Sequence, residues 1–264
     1  MNGSARRVGA LALRYLLLVG RDPARCFDIV YWPLVDVAVW AFLTLYVTRS
    51  GAQVPNALAV FVGAAILWNV FLRAAQDVAV SFLDDVWARS VVTLFASPLT
   101  VREFGVATMV VGAAKALLTL GAMAIVARIL YAFDLFALGW PLAPFAANLV
   151  CFGWALGLVA MSIIVRFGGR WMILAYSLPF LVMPFCAVFW PIGVLPPPLQ
   201  TVAAAMPLSH VFEGMRAVVA TGELPARQLV IATAENVVAL ALAGALVART
   251  FRGALDRGSL PKLR

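Results

Sequence analysis

PIGVLPPPLQTVAAAMPLSHVFEGMRAVVATGEL, residues 191–224, decides how this chain is read. It lies between two apolar runs, 170–190 and 229–247, each near the roughly 20 residues that a bilayer span needs. The stretch between them cannot cross as one lipid-facing helix. Pro191, Pro196, Pro197, Pro198 and Pro207 break it, and it carries His210, Glu213 and Arg216. Irregular backbone at membrane depth survives only where protein or a water-filled cavity covers it. The segment is therefore expected to dip into the membrane and return, as re-entrant helices over 191–227, before a last span.

Composition agrees with a membrane setting. Of 264 residues, 64% are hydrophobic and 12% charged, where a soluble domain carries about 25% charged residues. Six apolar runs stand out: 31–48, 57–75, 104–133, 141–165, 171–190 and 229–247. The expectation is an all-α membrane protein with six transmembrane helices in a single domain, 1–264.

The net charge of +8 is unevenly spread. Arg6, Arg7, Arg14, Arg21 and Arg25 precede the first span. Arg73, Arg89 and Arg102 flank the second connection, and Arg166 and Arg170 the fourth. Arg249, Arg252, Arg257, Lys262 and Arg264 follow the last span, while the other connections hold only Arg49, Arg216 and Arg227. This is the positive-inside pattern. It places both termini in the cytoplasm and assigns the basic charge to topology and lipid headgroups, not to nucleic acid. Cys26, Cys151 and Cys186 lie in or beside apolar runs and read as small buried hydrophobes. The apolar run around Leu16–Val19 is short and has no small-residue cleavage site, so no cleavable leader is expected.

Residues 1–26 read as an interfacial helix. Arg7, Arg14 and Arg21 recur every seven residues and Arg25 follows at i+4, which puts all four on one face. Residues 76–103 read as a long cytoplasmic loop. Phe82, Leu83, Val86, Val91 and Leu94 give it a partial helical stripe, and Ser97 before Pro98 marks a helix boundary. Gly153 and Gly157 form a GxxxG that permits close helix contact. Pro179 and Pro184 are expected to bend the fifth span.

LFASPLTVREF (residues 94–104) and FWPIGVLPPPLQTVAAAMPLSHVFEGMR (residues 189–216) carry a family resemblance. With the order of elements along essentially the whole chain, they resemble the permease subunit of type 2 ATP-binding-cassette exporters. That family exports drugs, lipids, lipid-linked polysaccharides or nodulation signals. The resemblance implies a cytoplasmic coupling helix that meets a separate ATPase subunit, and external re-entrant helices before the last span. It makes Asp84, Asp85, Arg89, Ser97, Pro98, Leu99 and Thr100 candidates for docking that ATPase. It also implies a second permease copy, or a related chain, and a bacterial inner-membrane location. The chain has no G-x-x-x-x-G-K-[ST] loop, so ATP and Mg belong to the partner and no cofactor is expected here.

Asp36, Lys115 and Glu235 are the intramembrane charges, and such groups face a bundle interior or water. Lys115 is expected to pair with Asp36 or with Glu235, either as a gating or polar lining or as a buried pair that fixes helix register. His210, Glu213 and Arg216 at i, i+3 and i+6 either line an outer vestibule or tie the re-entrant helices together. Ser209 beside the only histidine has no GxSxG around it, which argues against a hydrolase. The competing function is an ATP-independent carrier or channel-like protein, which would draw its coupling ligands from Asp36, Lys115 and Glu235.

Overall fold

The computed structural model describes residues 3–50, 56–88 and 90–256. No strand occurs among them. The helices are α1 (Gly3–Arg21), α2 (Pro23–Arg49), α3 (Ala57–Trp87), α4 (Val91–Ala96), α5 (Val101–Tyr131), α6 (Leu142–Phe167), α7 (Leu174–Val182), α8 (Pro197–Ala204), α9 (Pro207–Thr221) and α10 (Ala226–Asp256). Five of them, α2, α3, α5, α6 and α10, are long and apolar enough to cross a bilayer. The chain is thus a helical, multi-pass membrane protein.

The first departure from the sequence reading is at residue 22. Asp22 caps α2 by accepting from the Ala24 N–H at 3.0 Å, and Pro23 occupies the first helical turn. Residues before proline avoid the α region, so one helix ends and another begins. The amphipathic helix therefore stops at Arg21, and Arg25 belongs to the spanning helix α2 instead of sharing one face with Arg7 and Arg14. α1 buries Leu11, Ala12 and Tyr15 and packs on α5 and α2.

The second departure is the length of α3. The span expected at 57–75 continues unbroken to Trp87. Val78, Ala79, Phe82, Leu83 and Val86 keep the apolar period and are buried. At 31 residues α3 is about 46 Å long, well beyond the ~30 Å of hydrocarbon. The expected loop 76–103 thus shrinks to a short connection around α4. α4 ends at Ala96, capped by Ser97 ahead of Pro98, and α5 opens with a reciprocal cap: Thr100 Oγ1 accepts from the Glu103 N–H, and the Thr100 N–H donates to Glu103.

α3 and α6 form the closest seam in the bundle. A Cβ built on Gly153 would lie 2.7 Å from Ala74 Cβ, and one on Gly157 only 2.4 Å from the Ala75 carbonyl oxygen. The GxxxG is what lets these backbones meet. α10 is clamped to α6 by polar groups. Asn236 donates to Asn148 Oδ1 at 2.9 Å and to its carbonyl at 3.0 Å, and Thr233 donates to Asn148 Oδ1 at 3.2 Å.

The third departure is the run 171–190, expected as a fifth span. It is broken into a 3₁₀ turn at Gly169–Trp171, α7, a second 3₁₀ turn at Met183–Phe185, and then non-helical backbone. Pro179 is accommodated inside α7, and Pro184, which has no N–H to donate, sits in the second 3₁₀ turn. The segment still runs beside α3 and α2. Gln76 donates to the Tyr176 carbonyl at 3.2 Å, Phe180 meets Trp68, and Phe189 stacks on Trp40 with ring centroids 3.5 Å apart. Its irregular part is covered: Cys186, Ala187 and Val188 are fully buried.

Both described ends of the chain reach the same end of the bundle. Arg7 on α1 meets Glu103 at the start of α5 at 2.5 Å. Phe251 on α10 packs edge-on against Phe82 near the end of α3, with centroids 5.9 Å apart. Arginines concentrate there, and we refer to it as the basic end.

Candidate functional site

α3 carries a polar stripe. Asn69, Arg73, Asp77 and Asp84 are spaced by four, four and seven residues, so they share one helix face. That face meets α2 and α7 across a cavity of about 580 Å³, with Lys115 reaching in from α5. Four carboxylates (Asp28, Asp36, Asp77 and Asp84) and three cations (Arg25, Arg73 and Lys115) line it. Trp32, Trp87 and Phe180 supply large apolar faces between them.

The charges are paired rung by rung. Asn69 Nδ2 donates to Asp36 Oδ2 at 2.9 Å. Arg73 donates to Asp28 Oδ2 at 2.9 Å and to the Asp28 carbonyl at 2.6 Å. Lys115 Nζ donates to Asp77 Oδ1 at 2.9 Å. Arg25 grips Asp84 through two bonds of 2.5 and 3.0 Å. Taking a charge out of water is costly, and these partners offset that cost. One group remains open: Asp77 Oδ2 is buried and accepts no hydrogen bond from the described residues.

Lys115 therefore pairs with neither Asp36 nor Glu235. Asp77, one helical turn beyond Arg73 on α3, is nearer, and Asp36 is taken by Asn69. Asp36 and Lys115 do share the cleft, but Glu235 sits elsewhere. Its Oε1 lies 3.6 Å from His210 Nε2, and that nitrogen is also 3.0 Å from the Ala204 carbonyl.

Glu213 and Arg216 pair with each other at 3.1 Å and hold the irregular backbone behind α7. Arg216 donates to the carbonyls of Ala187 and Val188 at 2.8 and 3.2 Å, and the Ile192 N–H donates to Glu213 at 2.8 Å. Ser209 donates to the Phe185 carbonyl. These residues satisfy backbone groups that no helix satisfies.

Asp84 and Asp85 face inward, toward the N-terminal helices. Asp84 is held by Arg25. Asp85 accepts from Arg14 at 2.8 Å, from Ser90 at 2.7 Å and from the Tyr15 hydroxyl. Burial and the neighbouring Asp85 carboxylate push the Tyr15 phenol far above its ordinary value, so it remains a donor. Ser97, Pro98 and Thr100 are exposed and Leu99 half-buried at the basic end. Arg89 lies outside the described residues.

The sequence reading does not point to Asp28, Asn69 or Asp77, and it names Arg73 only as a flanking charge. The expected loop 76–103 takes in Asp77, and the positive-inside pattern assigns Arg73 to topology. Their signal is the spacing 69, 73, 77, which becomes visible once α3 is allowed to continue past residue 75. Trp40 and Trp68 pack against Phe189 and Phe71. Among the described residues no three His, Cys, Asp or Glu side chains come together to hold a metal ion. Neither a protein-family model nor a curated protein matches this chain.

Proposed function

We propose that this chain is the permease subunit of an ATP-driven exporter of the type 2 ATP-binding-cassette class, working with a separate ATPase subunit and a second permease copy. The observation that carries the reading is the exposed turn around Ser97, Pro98 and Thr100 at the basic end, and how firmly it is tied to the helices that line the cleft. On one side α4 follows α3, where Asp85 is bonded to Ser90, Arg14 and Tyr15. On the other side the Thr100–Glu103 cap and the Arg7–Glu103 ion pair join the turn to α5 and α1. A push on this turn would reach Asp77 on α3 and Lys115 on α5 together. ATP and Mg bind the partner, and its closure would drive α3 against α5 and change access to the cleft.

The layout supports six membrane passages. Five long helices with both described ends at one end of the bundle leave one passage over, and the broken segment beside α3 supplies it. Residues 191–227, including α8 and α9, then form the re-entrant part at the opposite end. The positive-inside rule puts the basic end, with both termini, in the cytoplasm, and the membrane is the bacterial inner membrane. The cleft mixes charged rungs with Trp32, Trp87 and Phe180, which suits an amphipathic or lipid-linked substrate.

The test is co-purification of the tagged chain from its native host in mild detergent, with an ATP hydrolysis assay. A soluble ATPase is expected to accompany the chain and to be lost from the variant Ser97→Arg/Pro98→Glu, while that variant still elutes as a monodisperse membrane protein. Retention of the ATPase by this variant would overturn the docking assignment. The Asp77–Lys115 pair inside a cleft also fits an ATP-independent carrier. Ion-coupled transport by the purified chain alone, abolished by Lys115→Met, would favour that reading.

A further inference from the structure

A second cavity, of about 520 Å³, lies between α5 and α10 at the basic end. α10 packs chiefly on α6 and α9 and touches α5 only lightly, which leaves this seam open. Val101, Arg102, Gly105, Val106 and Met109 form one wall, and Gly244, Ala245, Ala248, Arg249 and Arg252 the other. Leu158 of α6 forms the floor. Small side chains on both helices make the groove: a Cβ on Gly244 would touch nothing within 4 Å.

Charge is confined to the mouth. Arg102 is in the first turn of α5, and Arg249 and Arg252 are in the last two turns of α10. All three are exposed, and none forms an ion pair with a described carboxylate. From Arg102 to Met109, and from Arg252 to Gly244, the helices rise about 10 Å into wholly apolar surroundings. A cationic mouth over an apolar slot in a membrane-spanning seam matches one chemistry: a phosphate headgroup with an acyl chain below it.

We propose that this groove binds one anionic phospholipid of the leaflet at the basic end, its phosphate on Arg102, Arg249 and Arg252 and one acyl chain between Val106, Met109, Leu158 and Gly244. A soluble phosphate would have no use for the slot. A general attraction of basic residues to the membrane would not depend on it either. The site rests on the membrane placement of α5 and α10 and does not depend on the exporter reading.

Native mass spectrometry of the purified full chain, titrated with phosphatidylglycerol or phosphatidylcholine of identical acyl chains, tests it. One phosphatidylglycerol is expected to bind in preference to phosphatidylcholine. Arg102→Gln/Arg249→Gln/Arg252→Gln should lose that preference by about 100-fold, at roughly fivefold per arginine. Removing the same charge elsewhere at the basic end, in Arg6→Gln/Arg166→Gln/Arg170→Gln, should change it less than about twofold. Gly244→Phe, which fills the slot and leaves the arginines in place, should weaken phosphatidylglycerol binding on its own. The proposal is overturned if the control triple loses as much as the groove triple or if Gly244→Phe has no effect. It is equally overturned if glycerol phosphate competes as well as the lipid.

Discussion

α3 and α10 are each 31 residues long and apolar enough to cross a bilayer, yet they do opposite work. In the most apolar window of α3, 67% of residues are buried, against 22% for α10. α3 is the keel of the bundle. It meets α6 backbone to backbone at Gly153 and Gly157, and the polar residues of its cleft face find partners on α2, α5 or α7. α10 is a rim helix. Its glycine at 244 faces open space, and Arg249 and Arg252 have no described carboxylate beside them. Length and apolarity alike, the two helices differ in what surrounds them. A glycine against a backbone closes a seam, whereas a glycine in an open seam makes a groove. A charge inside the bundle has to bring its counter-ion with it, and a charge at the membrane surface can take one from outside.

The sharpest way to break this contrast is to remove one member of the keel's buried pair. Lys115→Met leaves Asp77 uncompensated and is expected to cost ~3–5 kcal/mol, because breaking a buried pair strands a charge. Lys115→Met/Asp77→Asn should recover most of that loss. Thermal unfolding of the three proteins in one detergent measures the coupling, and additive effects of the two changes would show that the pair is not formed.

The glycines give the next largest difference. Gly157→Ala is expected to destabilise by ~1–3 kcal/mol, the cost of overpacking, since its Cβ would run into the Ala75 carbonyl and Val78. Gly244→Ala meets nothing and should stabilise by roughly 0.5–1 kcal/mol, the helix-interior penalty of glycine. If both changes moved the unfolding midpoint the same way, the closed and open seams would not be distinct.

A comparably small effect concerns the polar clamp that holds the rim helix in place. Asn236→Ala removes two bonds to Asn148 and is expected to cost ~0.6–1.7 kcal/mol, as measured for hydrogen bonds between membrane helices. The loss should appear as faster hydrogen exchange along α10 with α3 unaffected. Equal exposure of α3 would mean that the two helices open as one unit.

Much of the fold was legible in the chain. α5 and α6 were found within a few residues, because an apolar run bounded by a cap or a glycine carries its own start and stop. The Pro-broken character of 191–224 was also legible. The apolar run alone ends this span at residue 75, which leaves Asp77, Asp84 and Asp85 in the expected loop 76–103. They lie on a helix that continues, each neutralised by a residue far along the chain. That the run 171–190 is not one continuous helix is not legible, because apolarity does not reveal that the helix will give way at residue 183 beside Pro184, nor that Arg216 is present to hold the freed carbonyls.

The sequence by itself determined the membrane setting, the helical class and the basic end, because these depend on composition and on periods within one helix. Only the tertiary structure decided which charges meet. Asp77 with Lys115, Asp85 with Arg14 and Arg216 with the Ala187 carbonyl join residues between 29 and 71 positions apart. Pairing of this kind depends on how helices are rotated and set against one another, and that rotation is chosen by packing at seams such as Gly153 and Gly157. Local sequence carries the cost of an unpaired charge in a membrane, while the fold supplies the partner.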